Sequence, residues 1–299
     1  MSFFLLPLYD KLFGKILSVI VSLMLTFGVL RVETRGDAGS PADPSAPYLF
    51  DSAEEYFAYY YRNVHDEKTD SYVPNPQNVL REVEADGFTA RICKNGTAAI
   101  TGLTKAMRTV RFPEQIEGCR VVAVDGVSGF FDGCAEYVLR CTSVIIPNTV
   151  EYIGSEAFRN MSFLQNVDFG ERVKFVGDDV CILCHTLKSV KISGSIEKIS
   201  GFAYCYSLTS LEICNGVRSI DDFQGCGSLK TVRFPDSMEE IGSAFIECAG
   251  LADAYIPASV TTIADNAFLE ARRLTIHGVA GSYAERWAAE HGFGFAADY

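Results

Sequence analysis

Two consecutive stretches of the chain decide its fold: LKTVRFPDSMEEIGSAFIECAG at residues 229–250 and LADAYIPASVTTIADNAFLEAR at residues 251–272. Aligned with each other, they place a leucine, a hydrophobic pair, a proline, a second hydrophobic pair and a phenylalanine at nearly the same offsets. Repetition at a period of about 20–50 residues is typical of solenoids. Working outward, further copies start at steps of 21 to 23 residues, at Cys141, Leu164, Leu187, Leu208 and Leu274, with a divergent copy near Met107.

Each copy predicts two short extended pieces and a tight helical turn. The first hydrophobic pair, such as Val232 and Phe234, alternates with polar residues, which is the period-2 pattern of a half-buried strand. A second pair such as Met238 and Ile241 follows. An aromatic residue then comes six residues before the next copy, at Phe158, Phe202, Phe223, Phe245 and Phe268. One copy cannot bury its own apolar side, so the copies are expected to stack around a shared core with ladders of like residues.

These copies resemble the BspA-type leucine-rich repeat, whose pattern is roughly L-x-x-V-x-I-P-x-x-V-x-x-I-G-x-x-A-F-x-x-C. The resemblance covers about residues 88–299, and the stretch from Leu274 onward resembles the usual end of that family. It implies a leucine-rich repeat solenoid, mostly β with short helical turns, built of stacked 21–23-residue units. It also implies a bacterial surface protein, and some members of the family are associated with adhesion to host matrix proteins or other cells. The pattern departs at Gly170, Ser193 and Cys214, which replace the proline, and at Cys181, which replaces the phenylalanine.

Residues 1–35 are predicted to be a signal peptide or an N-terminal membrane anchor. The uncharged run Ile16–Leu30 is shorter than the roughly 20 residues that a spanning helix needs. It follows Lys11 and Lys15 as the h-region of a secretory signal follows its basic n-region, and a buried core helix is the alternative. Residues 36–47 are small and Pro-rich, which predicts a linker.

Residues 48–87 are predicted to form an acidic, Tyr-rich segment with a short helix. Ser52 and Glu55 resemble a capping box, which places the helix over about residues 53–63. Its aromatic residues either dock the helix onto the rest of the protein or form a sugar- or partner-binding strip. The chain has a net charge of −12, and residues 43–86 carry most of it. This balance argues against nucleic-acid binding, which needs concentrated Lys and Arg.

The C-terminal residues predict a capping helix over residues 283–291. Ser282 and Glu285 form a capping box, and Gly292 suits the position just after the helix. Trp287 is expected to pack on the last repeat. Exposed terminal repeats need such caps, so the predicted helix covers the open end of the solenoid.

The cysteines that lie three residues before the next copy are predicted to be buried, free thiols. Stacked side chains point in parallel, which is unfavourable for the geometry of a disulfide. The stretch CILCH at residues 181–185 matches the C-x-x-C-H pattern of c-type haem attachment, but both of its cysteines fall in columns of core residues, which favours a core role. Four cysteines lie three residues before the next copy and form one column: Cys184, Cys205, Cys226 and Cys248.

The sequence carries no motif of the serine-hydrolase, P-loop or zinc-protease kind, and its four histidines are scattered. We therefore expect no catalytic residue, no cofactor-binding residue and no metal ligand, and hence no cofactor and no enzyme activity.

The outward strand position two residues before the proline column supplies a candidate interaction face. Neighbouring strands lie about 4.8 Å apart, so charges in this column alternate along one face of the stack. The column either holds the register of the stack or binds a partner. It carries Arg111, Ile145, Asp168, Lys191, Glu212, Arg233 and Tyr255, and all of these except Ile145 are candidate interaction residues.

Together these features predict an exported, non-catalytic repeat protein that mediates adhesion-type interactions through the solenoid face. Its expected partner is a protein or glycan on a host or neighbouring cell. It is expected to be monomeric, secreted or on the cell surface, and to contact the membrane only through its N-terminal segment. The alternatives are a structural spacer in the cell envelope and a substrate- or partner-capture module attached through residues 48–87.

Overall fold

The computed structural model describes Tyr59, residues 78–126 and residues 140–299. The predicted signal or anchor segment at residues 1–35 and the linker at 36–47 lie outside these residues, as does the predicted helix at 53–63 apart from Tyr59. Among the described residues, no helix has the length and apolar character needed to cross a membrane.

The solenoid opens with an antiparallel meander. Strands β1 (Val79–Ala85), β2 (Phe88–Cys93) and β3 (Thr97–Leu103) pair in sequence order. Lys94, Asn95 and Gly96 connect β2 to β3, where the Gly96 amide donates to the Cys93 carbonyl and Gly96 has a φ of 79°. Since β1 pairs with β2, the sheet starts ahead of residue 88, where the sequence places the start of the solenoid.

After the meander, the N-terminal turn contributes three short strands and each later turn one or two. The N-terminal turn holds β4 (Thr109–Arg111), β5 (Gln115–Ile116) and β6 (Cys119–Val124). The turns that follow hold β7 (Ser143–Ile145), β8 (Tyr152–Ile153), β9 (Asn166–Asp168), β10 (Phe175–Val176), β11 (Ser189–Ile192), β12 (Lys198–Ile199), β13 (Ser210–Ile213), β14 (Ser219–Ile220), β15 (Thr231–Arg233), β16 (Glu240–Ile241), β17 (Asp253–Tyr255), β18 (Thr262–Ile263) and β19 (Thr275–His277).

The turns are joined by three hydrogen-bonded ladders. The first ladder is parallel and runs through β4, β7, β9, β11 and β13, then resumes through β15, β17 and β19. The second ladder runs through β6, β8 and β10, then resumes through β12, β14, β16 and β18. The third ladder joins the helical turns, where for example the amides of Phe202 and Tyr204 donate to the carbonyls of Asp222 and Gln224 one turn on. Within residues 140–299, the first ladder is interrupted between β13 and β15 and the second between β10 and β12.

The interruption of the second ladder coincides with a change in repeat length, since 23 residues separate Leu164 from Leu187 whereas 21 separate Leu187 from Leu208. A depression of about 720 Å³ lies where β10 and β12 fail to pair, and its walls include Phe175, Glu197 and Arg218.

The core is the predicted set of columns. Phe202, Phe223, Phe245 and Phe268 are fully buried, and consecutive rings stack with centroids 4.8 to 5.6 Å apart. In the neighbouring column, the Cys226 thiol donates a hydrogen bond to the carbonyl of Phe202 in the preceding turn, at 3.4 Å. The four cysteines of this column are buried, free thiols, as predicted, and the other cysteines among the described residues are also free thiols. The narrow core therefore consists of columns in which similar small or hydrophobic side chains recur from turn to turn.

The C-terminal end is capped as predicted, with one addition. Helix α1 (Tyr283–His291) starts at Ser282, whose side chain accepts from the amide of Glu285, and ends at Gly292 with a φ of 74°. The buried Trp287 ring packs edge-on against Phe268, with centroids 5.8 Å apart. The addition is strand β20 (Gly294–Ala296), which pairs with β19 and extends the first ladder by one strand.

Candidate interaction surface

The outward residues of the first ladder form one continuous surface, which we call the strand face. Its register is the predicted one. Arg111 lies beside Ile145 in the next strand, and Asp168, Lys191 and Glu212 follow in neighbouring strands. After the interruption, Arg233 pairs with Tyr255. The structure therefore brings the six predicted residues into two aligned groups, one on each side of the gap between β13 and β15.

The N-terminal group consists of exposed charges with few contacts. The Lys191 ammonium lies 3.0 Å from the Glu212 carboxylate, and both side chains are about 60% exposed. The Asp168 carboxylate accepts a hydrogen bond from the backbone amide of Gly170. Because an exposed ion pair is screened by water and salt, these charges are available to a partner at little energetic cost.

The C-terminal group is tightly stacked. The Arg233 guanidinium lies 3.4 Å from the centre of the Tyr255 ring, within the range of a cation–π contact. Tyr255 in turn stacks on His277 with centroids 4.3 Å apart and planes 16° apart. His277 is the next member of the same column, since β17 and β19 pair Tyr255 with it.

Two carboxylates fix the His277 ring. Its Nδ1 lies 2.8 Å from Asp298 and its Nε2 lies 3.0 Å from Asp253. Burial lowers the pKa of His277, but hydrogen bonds to Asp298 and Asp253 outweigh it and leave the pKa above its ordinary value. Beyond Asp298, the Tyr299 hydroxyl donates to the carbonyl of Phe234, so the C-terminal residues lie over the end of the strand face.

Two features of the strand face were not predicted from the sequence: His277, and a second column of outward residues. His277 lies three residues after Leu274, whereas Tyr255 lies four residues after Leu251, and this one-residue difference hides the equivalence. The second column lies two residues earlier on each strand, and period-2 alternation could have revealed it. It carries small polar residues up to the gap and beyond it, at Thr109, Ser143, Asn166, Ser189, Ser210 and Thr231.

The haem-like motif is part of the core. Cys181 and Cys184 are both fully buried, in the two columns where the sequence places them. His185 sits on the surface, with Nδ1 3.1 Å from the carbonyl of Tyr204. Among the described residues, no group of three or more His, Cys, Asp or Glu side chains is placed to hold a metal ion.

A model of the BspA type leucine rich repeat region matches the chain in six copies, over residues 130–243 and 200–278. The chain belongs to the BspA-type leucine-rich repeat family. Leucine-rich repeat solenoids are typically non-catalytic and present extended surfaces to protein partners.

Several solved structures are similar to this BspA-type chain. A leucine rich cell surface protein from Faecalibacterium prausnitzii is 21% identical, with 67% of this chain and 76% of that chain covered and a TM-score of 0.39. The leucine rich repeat protein of T. pallidum is 24% identical, with 72% and 98% covered and a TM-score of 0.45. The pneumococcal vaccine antigen PcpA is 10% identical, with 74% and 100% covered and a TM-score of 0.25. No curated protein has significant similarity to the chain.

Proposed function

We propose that this protein is an exported, non-catalytic adhesion protein that binds a protein partner of a host or neighbouring cell through its strand face. The observation that carries the proposal is the alignment of the exposed columns. A column of small polar residues runs beside a mostly charged column over five neighbouring strands, β4, β7, β9, β11 and β13, and Ile145 of β7 is the one uncharged member of the second column. Small side chains let a partner approach the sheet closely, and the charges beside them select its orientation.

The stacked group at the C-terminal end supplies a rigid anchor for the same partner. Arg233 and Tyr255 are residue types enriched in the parts of interfaces that carry most binding energy. Their contact, together with the support of His277 behind Tyr255, holds both side chains in one arrangement before a partner arrives. Less side-chain freedom is then lost on binding.

The proposed location and domain organisation rest on the sequence. The basic and hydrophobic pattern of residues 1–35 supports export or anchoring, residues 36–47 act as a linker, and residues 48–87 join it to the repeats at 88–299. In this arrangement the protein is a monomer on the cell surface or secreted, and it touches the membrane only through its N-terminal segment.

The proposal is tested with the full chain against immobilised extracellular-matrix proteins, measured by biolayer interferometry. We expect binding to at least one of them. The double substitution Lys191→Glu and Arg233→Glu is expected to weaken it at least about tenfold, because it reverses a positive charge in each of the two groups of the strand face. The matched control is Lys198→Glu, an exposed lysine of the second ladder, which should leave binding unchanged.

Binding that survives the double substitution would contradict the assignment to the strand face. Binding that is lost on removal of residues 48–77, while circular dichroism shows the solenoid intact, would instead assign it to the acidic Tyr-rich segment. Absence of binding to any matrix protein or envelope fraction would favour the role of a structural spacer.

A further inference from the structure

Residues 297–299, which follow β20, turn back across the end of the strand face. The Asp298 carboxylate reaches Nδ1 of His277 in β19, and the Tyr299 hydroxyl donates to the carbonyl of Phe234, which directly follows β15. Strands β15, β17, β19 and β20 lie side by side in that order. The three residues therefore run from the last strand of the ladder back toward β15, and we call them the strap.

The strap is held by two side-chain contacts and not by burial. All three of its residues are exposed, and the Tyr299 side chain is 45% exposed. None of the three backbone amides donates to a backbone carbonyl within the described part of the chain. Attachment of the strap to the strand face therefore depends on the contact between Asp298 and His277 and on the hydroxyl of Tyr299.

The contact at His277 requires a proton on each ring nitrogen. Asp298 lies 2.8 Å from Nδ1, and Asp253 lies 3.0 Å from Nε2. Carboxylates only accept hydrogen bonds and a neutral imidazole has a single N–H, so both contacts are hydrogen bonds only when the ring is an imidazolium. Burial lowers the pKa of His277, but these two hydrogen bonds outweigh it and leave the pKa above its ordinary value.

Loss of one proton turns a nitrogen lone pair toward a carboxylate oxygen. Asp253 belongs to β17 and cannot move away without disturbing the ladder. Asp298 belongs to the exposed strap and can move away. The remaining proton is therefore expected on Nε2, facing Asp253, and the contact that breaks is the one that holds the strap.

The other charged and titratable groups around the site do not replace this contact. Tyr255 stacks on the His277 ring, and the Arg233 guanidinium lies over Tyr255, so an aromatic ring separates the two cations. Burial and Asp236 raise the pKa of Tyr299 above 10, and Arg233 opposes them. The Tyr299 hydroxyl therefore keeps its proton while His277 loses one.

We propose that the strap is a proton-controlled cover of the C-terminal end of the strand face, fastened while His277 carries both ring protons and released when it loses one. The attachment is present at low pH and is lost as the pH rises through the pKa of His277. Release withdraws Tyr299 from the Phe234 carbonyl and frees the surface beside Arg233 and Tyr255. Movement of the strap stands on its own contacts, whereas its effect on a partner rests on the proposed function.

The test is NMR of the full chain labelled with ¹³C in alanine methyl groups and histidine rings, titrated from about pH 5 to pH 9. Ala297 lies within the strap and reports its order through methyl relaxation. We expect the Ala297 methyl to be ordered at low pH and to become mobile as His277 loses its proton. The two changes should share one midpoint, above the ordinary histidine value of about 6.5.

Three variants separate the strap from other effects of pH. His277→Gln cannot titrate and should remove the transition of the Ala297 methyl. Asp298→Ala should leave the methyl mobile at every pH and lower the midpoint of His277. The matched control is His185→Gln, which changes a surface histidine of the helical turns and should leave the transition unchanged. Equal melting temperatures confirm that each variant is folded.

Two results would overturn the proposal: an Ala297 methyl with the same order across the whole titration, and a transition that survives His277→Gln. With a matrix protein that binds through Arg233, Asp298→Ala should raise the affinity at about pH 6 by at least about threefold. Equal affinity would show that the strap does not cover the binding surface. Absence of any binding matrix protein, with the methyl transition present, would contradict the adhesion proposal and leave the strap supported.

Discussion

The inside of the solenoid repeats nearly the same side chain from turn to turn, whereas the strand face changes at almost every turn. In the core, Phe202, Phe223, Phe245 and Phe268 follow one another in a single stack. On the strand face, Lys191, Glu212, Arg233 and Tyr255 occupy equivalent positions. In a buried column, the choice of side chain is constrained by the residues packed against it in the turns above and below. In an exposed column, neighbouring side chains must only avoid repulsion, so the sequence is free to vary.

The largest loss of stability is expected for a substitution in the middle of the phenylalanine column. Phe223→Ala removes a fully buried ring that touches rings on both sides, so we expect a loss of about 3–5 kcal/mol in the free energy of unfolding. Urea unfolding followed by circular dichroism measures it. Tyr206→Ala, which removes an exposed aromatic ring, is the matched control and should cost less than about 1 kcal/mol. Equal losses in the two variants would show that the buried phenylalanine column contributes no more to stability than an exposed aromatic residue.

An intermediate effect is expected at Asp222, which lies between core and surface. Burial, followed by the nearby carboxylates of Asp179, Asp221 and Asp178, raises its pKa to about 6 from 3.8. Ionising Asp222 is therefore harder in the folded state than in the unfolded state. Its contribution to stability is intact below pH 4 and falls as the pH rises through 6.

Asp222→Asn should remove this loss. At pH 7 we expect the variant to be more stable than the wild type by about 1–3 kcal/mol, and at pH 4 the two should be equal. The left-handed backbone at Asp222, with a φ of 57°, tolerates Asn well. Urea unfolding at both pH values measures the difference. Glu247→Gln, an exposed carboxylate in the same backbone conformation, serves as the control and should show no pH-dependent gain.

The smallest effect is expected on the strand face itself. Lys191→Ala breaks an ion pair with Glu212 in which both side chains are largely exposed. We expect the melting temperature to shift by less than about 1 °C, and the shift to disappear in 1 M salt, where the charges are screened. Differential scanning calorimetry at low and high salt measures it. A shift of several degrees would mean that the charge column stabilises the stack, and would weaken the case for a binding role.

The core and the C-terminal helix could be predicted because their signals are local and repeated. The columns of Phe and Cys recur at the repeat period, and Ser282, Glu285 and Gly292 mark the two ends of α1. The register of the strand face followed from the same alignment.

Other features depend on contacts that leave no periodic trace. The stretch Gly294–Ala296 is too short to show alternation, and it becomes a strand because β19 offers it an open edge. The interruption between β10 and β12 falls between two turns that both carry the repeated hydrophobic pattern, so the pattern does not reveal it.

The positions of the two ladder interruptions have a mechanical consequence. Where β10 and β12 fail to pair, the first ladder still joins β9 to β11, and the amides of Cys181 and Leu183 still donate across the same step. Where β13 and β15 fail to pair, β14 still joins β16 and the amide of Phe223 still donates to the next turn. No cross-section of residues 140–299 thus lacks backbone hydrogen bonds. A force applied along the axis of the stack must therefore break backbone hydrogen bonds at every turn boundary within residues 140–299.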